Sequence, residues 1–430
     1  MLPVSMSFAK KAGWILFLVG IAFLGTEVGL RFLKSPSLQY YRDLKVLHQY
    51  HPDYYVGLEP NQSLFVRHFA GKWEGQISTN SLGLRGTKDP ISNKPKLLCL
   101  GDSLVMGFGV GDPDTFCSLL DGLELKGGAR QSLNLGVDAY GSSGSYLRLK
   151  DISARLDHVS EVLFFISPND FDMPEALAAK GILPDDQTDA ARESDPNYRR
   201  NFRIQFELTK WSYALQAMKL AWEQLSVTAS VTKMNIANEI KSAGMSENSQ
   251  PGENLGSYIK NSFYHPPKRP NCSPVAPVMK EAALGPICPE PVPADVRCSD
   301  TIPKLTELEP LPELTQRSYD GMIALAKEKG FRLIPVIVPI QVEEIYCYNN
   351  GKYHKLENYA IRSASYFEKK GIPVMRLKKD TVTMCKIGTD GRRIGILDHF
   401  IPEDGHFTKI GNQWLAEAIA KHLKESPFAL

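Results

Sequence analysis

The chain has 430 residues, of which 43% are hydrophobic and 23% charged, with a formal net charge of +2. That length and balance belong to a globular protein with a sizeable core and exclude a disordered chain. No basic run or acidic tail is present, so no nucleic-acid partner is expected.

The first segment departs from this average. Lys10 and Lys11 precede an apolar stretch from Ala12 to about Leu33, broken only late by Glu27 and Arg31. It is long enough to span a bilayer as a helix. Lysines before it and a large domain after it place the N-terminus on the cytoplasmic side and the rest outside. No small-x-small cleavage site follows, so a retained anchor over 1–34 is preferred to a cleaved signal peptide.

From 35 to 95 the chain reads as a polar, Tyr-rich connector packed on the core. Strands and helices then alternate. Lys96–Leu100 reads as a buried strand, Phe116–Leu125 as a helix, Ser132–Leu135 as a short strand, Ser143–Leu156 as a helix and Glu161–Ile166 as a strongly apolar strand. The pattern resumes with a helix over Leu311–Lys329, stopped by Gly330. A strand over 332–338, a helix over 353–370, a strand over 372–376 and an amphipathic helix over 408–424 follow. This alternation predicts an α/β fold with a mainly parallel sheet covered on both faces, built from 96–170 and 311–430. The insertion between them, 171–310, is expected to be helical over about 201–241. It holds most of the thirteen prolines of 251–312, so its remainder is loop.

Seven cysteines are present. Cys99 and Cys117 lie in apolar surroundings and are expected to be buried thiols. Cys272, Cys288, Cys298, Cys347 and Cys385 could pair in an oxidising compartment, with connectivity open.

The chemistry-bearing signal is Gly101-Asp102-Ser103-Leu104, directly after the first strand. A residue there points into the crevice at the C-terminal edge of a parallel sheet. Ser103 would begin a helix, whose N–H groups face developing negative charge. Val105 rules out the G-x-S-x-G elbow. Taken alone, the segment could be a polar turn capping a helix. Serine needs a base, and Glu403-Asp404-Gly405-His406 places acids and an imidazole on one loop before the last helix. A single loop histidine is more often an ordinary surface residue. Asn134–Gly141 and Ser167-Pro168-Asn169-Asp170 follow the second and third strands, so both belong on the rim with Ser103. The Gly141 N–H and the Asn169 amide are candidate oxyanion donors, although both segments also suit turns and caps.

In order and spacing these four segments resemble the SGNH hydrolases, or GDSL esterases and lipases, especially bacterial membrane-anchored members. Those also carry an upstream segment seen here as Asn80-Ser81-Leu82-Gly83-Leu84-Arg85. The resemblance covers about 94–171 and 311–424. It implies a three-layer, flavodoxin-like sandwich and a serine esterase with no cofactor or metal. Ser103 would be the nucleophile, His406 the base and Asp404 its acid. The Ser103 N–H, Gly141 and Asn169 would form the oxyanion hole. The family's usual final motif would put the acid at Glu403, its third block often has Gly where Ser167-Pro168 stands, and Gly136 competes with Gly141. The expected substrate is an ester-bearing small molecule, lipid or glycan, O-acetyl groups included, met outside the membrane (in the periplasm of a Gram-negative cell). The alternatives are an O-acyltransferase using the same site, a non-catalytic surface scaffold, and a metal hydrolase built on Asp398, His399, Asp404 and His406.

Overall fold

The computed structural model describes residues 8–138, 141–167, 196–222, 225, 291–294, 296–308, 310–388, 391–402, 404–425 and 428. The N-terminal helix α1 (Phe8–Leu33) contains a 24-residue candidate span, Lys10–Leu33, in which an 18-residue window has a mean hydropathy of 1.8 and none of its residues buried in the protein. By length and composition it could cross a membrane or serve as a signal sequence.

The stretch read as a connector has structure of its own. Helix α2 (Pro36–Leu47) is followed by two antiparallel hairpins, β1 (His48–His51) with β2 (Tyr55–Leu58) and β3 (Ser63–Arg67) with β4 (Glu74–Ser78). Leu47, Leu58, Val66 and Ile77 are fully buried there, packed with Met106, Val137 and Ile401 of the core domain. These elements are short and interrupted by polar residues, which hides their periodicity.

The core is a five-stranded parallel sheet. Its strands are β5 (Lys96–Leu100), β8 (Gln131–Asn134), β9 (Val159–Ile166), β10 (Arg332–Ile337) and β11 (Met375–Arg376), in the spatial order β11-β10-β9-β5-β8. Every residue of β5 is buried, as a central strand covered on both faces requires. Side chains alternate between two clusters. Leu97, Cys99, Leu163, Phe165, Ile334 and Val336 face one side, packed with α4 (Phe116–Leu119), α9 (Val342–Asn349) and α11 (Lys409–Leu423). Leu98, Leu100, Leu133, Val162, Phe164 and Ile337 face the other, packed with α5 (Ser142–Ser153), α8 (Glu313–Lys329) and α10 (Asn358–Lys369). Each such fully buried side chain stabilises the fold by about 1.5–3 kcal/mol.

The chain runs from β5 outward to β8, then crosses back to place β9 on β5's other edge. That reversal is the topological switch point, and the crevice at its C-terminal edge is where such sheets bind ligands.

Several sequence expectations need correction. The helix expected over 116–125 ends at Leu119. Gly122, Gly127 and Gly128 have positive φ and turn the chain into a small hairpin, β6 (Glu124–Leu125) with β7 (Gly128–Ala129). The helix expected over 353–370 begins only at Asn358, and α9 ahead of it was not expected. Cys99 and Cys117 are not thiols: they are joined in a disulfide that ties β5 to α4. A second disulfide links Cys298 to Cys347, and Cys385 is also disulfide-bonded. Within the insertion, α6 (Pro196–Trp211) and α7 (213–222) bear out helix over the described part. Residues 226–290 lie outside the described residues.

Candidate active site

The site assembles where β5 ends. A methyl group added at Gly101 would meet Val105 Cγ2 at 2.6 Å and Phe165 Cβ at 3.2 Å, so only glycine lets the chain turn this closely out of the strand. Asp102 caps the one-turn helix α3 (Ser103–Met106), its carboxylate accepting from the Leu104 N–H at 2.9 Å. Ser103 is therefore the first residue of α3 and stands at the mouth of the crevice. Burial pushes the Asp102 carboxyl above its usual range, against the Ser167 hydroxyl, the Leu104 N–H and the His406 charge, which favour its ionised form.

The partner loop precedes α11. Phe400 and Phe407 form an antiparallel bridge, Ile401 N–H donates to the His406 carbonyl at 2.7 Å, and Gly405 takes φ +83°. This tight loop presents Asp404 and His406 together, two residues apart. Thr408 then caps α11 through the Gly411 N–H. Gly109, at φ +93°, lets the loop after α3 approach Ile401 and so brings the serine and histidine loops together.

The result is a linear relay. His406 Nε2 lies 2.8 Å from Ser103 Oγ, and His406 Nδ1 is hydrogen-bonded to Asp404 Oδ1. With Nδ1–H donated to the carboxylate, Nε2 is left as an acceptor for the hydroxyl proton. The side chains of His406 and Asp404 are 25% and 15% exposed, so the site is open enough to be reached yet shields its charges. Burial works to raise the Asp404 carboxyl, but the hydrogen bond and charge of His406 outweigh it, and the carboxyl is held below the usual range. Asp404 is thus an anion at neutral pH, ready to stabilise an imidazolium.

Sequence reasoning missed the groups that back this relay. The Phe108 ring packs on the His406 ring at 4.9 Å, and Trp73 packs on Phe108 at 5.1 Å. Asp138 is a further carboxylate facing the imidazole. It is hydrogen-bonded to the buried His48, whose other ring nitrogen meets the Leu44 carbonyl at 2.5 Å. Burial works against ionisation at both, but their mutual attraction wins: His48 is raised and Asp138 lowered from their ordinary values. Asp138 lies in the 134–141 segment already singled out. His48 lies in the supposed connector and carries no sequence signal of its own.

The upstream segment 80–85 supports the same rim. Asn80 Oδ1 accepts from the N–H groups of Leu82 and Leu84, and a side chain at Gly83 would strike the Leu58 carbonyl at 2.4 Å. Arg85 is buried and donates to Asp112 and to the Val110 carbonyl, both at 2.8 Å, while its own N–H donates to Asn134 O. Arg148 joins the Leu135 and Gly83 carbonyls. Together they tie the end of β8 to the loop after α3 and to the 80–85 segment.

Of the expected oxyanion donors, Gly141 is the extended N-cap of α5 on the same rim. Gly136 is occupied otherwise: its N–H donates to Asn134 Oδ1 at 2.9 Å and its Cα packs against the backbone of α3. Asn169 and Glu403 lie outside the described residues. The four residues named for a metal do not converge. Asp398 accepts from Gly395 N–H and the buried His399 faces the Gly395 carbonyl, away from the relay. Among the described residues no group of three or more His, Cys, Asp or Glu is arranged to hold a metal.

No family model and no curated protein matches this chain. A solved structure titled only "Crystal structure of" is similar over 78% of this chain and 99% of its own, at 10% identity and a TM-score of 0.30, too low to carry an argument.

Proposed function

We propose that the chain is a serine esterase of the SGNH hydrolase type, its sheet forming the middle of a three-layer sandwich. The observation that carries this is the Ser103–His406–Asp404 relay at the switch point of the sheet. Ser103 Oγ forms a bond to the ester carbonyl carbon as its proton passes to His406 Nε2. Negative charge collects on the carbonyl oxygen, facing the N–H groups at the start of α3, with the Gly141 N–H and the Asn169 amide completing the hole. The carbon–alkoxide bond then breaks as His406 returns the proton to the leaving oxygen. Water, deprotonated by the same imidazole, releases the acyl group and restores Ser103. Asp404 holds the tautomer and balances the imidazolium.

In this reading α1 is a single-pass anchor and the catalytic domain lies outside the cytoplasm. The Cys99–Cys117 and Cys298–Cys347 disulfides support that placement, since such bonds persist in oxidising compartments. The test is turnover of p-nitrophenyl esters of increasing acyl length by the full chain in detergent, beside Ser103→Ala. Turnover by wild type alone supports the esterase, and its length profile separates a deacetylase from a lipase. Equal rates for both, or none, sink it.

A further inference from the structure

Helix α6 buries one side against the connector. Phe206 and Thr209 meet Lys45, and the Lys210 ammonium reaches the His48 carbonyl at 2.9 Å and Glu59 at 2.8 Å. Its other side is exposed and apolar. Ile204, Leu208 and Trp211 are 52%, 53% and 61% exposed, and they follow the i, i+4, i+7 spacing that aligns residues on one helical face. The next helix repeats this. Met218 and Trp222, at i and i+4, are 63% and 73% exposed, and the nearby Leu225 is 65% exposed. Apolar residues scattered singly on a surface need no explanation, but two consecutive stripes of large ones do.

What lies beside these stripes is α1. The Glu27 carboxylate of α1 accepts from Ser212 Oγ at 2.8 Å and from the N–H groups of Tyr213 and Ala214 at 3.2 and 2.8 Å. It thereby caps the start of α7 from another helix, where an anion is favoured. Arg31 adds a bond to the Trp211 carbonyl at 3.0 Å and stacks over the Tyr213 ring. Both anchors lie in the last two turns of the candidate span Lys10–Leu33. A helix rises ~1.5 Å per residue and the hydrocarbon core is ~30 Å thick, so a span beginning at Lys11 leaves the core near Arg31. The junction of α6 and α7 is therefore locked to α1 at the depth of the outer headgroups. Tryptophans suit that depth, and the exposed Arg200 and Arg203 in the first half of α6 suit anionic headgroups.

We infer that α6 and α7 lie in the outer membrane–water interface against the end of α1, with these two apolar stripes seated among the lipid acyl chains. The occupant of the exposed face is the bilayer itself. The inference rests on α1 being a membrane span, and it makes the contact a surface in place of a single tether. It also bears on the site: α2 starts three residues after α1 ends, and its Tyr40 contacts Trp73, which reaches His406 through Phe108.

The experiment is tryptophan quenching in the full chain, reconstituted into vesicles of phosphatidylcholine with a minority of phosphatidylglycerol, with or without bromine on the acyl chains. Trp73 and Trp414 are buried in the protein, leaving Trp14, Trp211 and Trp222 as reporters. Trp14→Phe isolates the interfacial pair and the double variant Trp211→Phe, Trp222→Phe isolates the span. The inference expects brominated lipid to quench both variants, and the triple variant to lose that quenching. Quenching of Trp14 without quenching of the pair would overturn the inference and leave the span standing, with the face then belonging to a second copy or another protein. No quenching of either would overturn both.

Discussion

Replacing Asp404 with Asn tests the relay at its most specific point. The change keeps shape but has two effects. The amide can donate to His406 Nδ1, which moves the ring proton to Nε2 and points it at Ser103 Oγ, so the base cannot accept. It also removes the charge facing the imidazolium. A carboxylate about 4 Å from the centre of that cation, at an effective dielectric near 20, attracts it by about 4 kcal/mol, or about a thousandfold in rate. Asp404 is only 15% exposed, so solvent does not remove most of this. Asp102 and Asp138 still face the ring, so the tautomer effect adds to a charge loss they partly replace. The expected fall in kcat is about 1,000- to 10,000-fold with KM little changed, measured on a short p-nitrophenyl ester. A fall of less than about tenfold would refute the reasoning. It would move the acid to Glu403 or to Asp138.

Two further outcomes follow from buried positions in the core domain. Burial, reinforced by the nearby Glu357 charge, pushes the Glu344 carboxyl up to about 8 from 4.5. Between those values the folded chain keeps a proton the unfolded chain has lost, so stability falls as pH rises, by at most about tenfold in the folding equilibrium per pH unit. Glu344→Gln should match wild type in the acid range and be at least about tenfold more stable by denaturant titration near pH 8; parallel pH profiles would contradict this. Gly136→Ala would drive a methyl to 2.2 Å from Met106 N, against backbone and not a yielding side chain. It should destabilise the chain by about 1–3 kcal/mol and slow Ser103 chemistry by moving α3, whereas unchanged melting and rate would show that α3 is not held there.

The sheet was legible because β5, β8, β9 and β10 are apolar runs closed by turn residues, and a strand buried on both faces needs nothing else. Ser103 was legible because it directly follows a buried strand, and His406 because it stands with acids on the loop before the last helix; the two side chains meet at 2.8 Å. The remainder depends on tertiary contacts. Cys99 and Cys117 look like core thiols because a strand and a helix that pack face to face are both apolar, and only their approach makes the bond. Helix α9 was missed because Glu344, two residues into it, is buried, which reverses the polar signal of that face. His48, Asp138 and Phe108 come from three separate stretches, and folding alone pairs His48 with Asp138 and packs Phe108 on His406. The sequence reading prefers Asp404 to Glu403 as the acid beside His406, and the Asp404 carboxylate is hydrogen-bonded to the His406 ring.

The most direct test of the account is covalent labelling of the full chain with a fluorophosphonate, followed by peptide mass spectrometry. A relay that lowers the barrier to attack by Ser103 Oγ predicts one phosphonylated serine, Ser103, with labelling abolished in Ser103→Ala and strongly slowed in His406→Gln. A folded wild-type chain that takes no label, or takes it at another serine, would contradict the claim that Ser103 is an activated nucleophile.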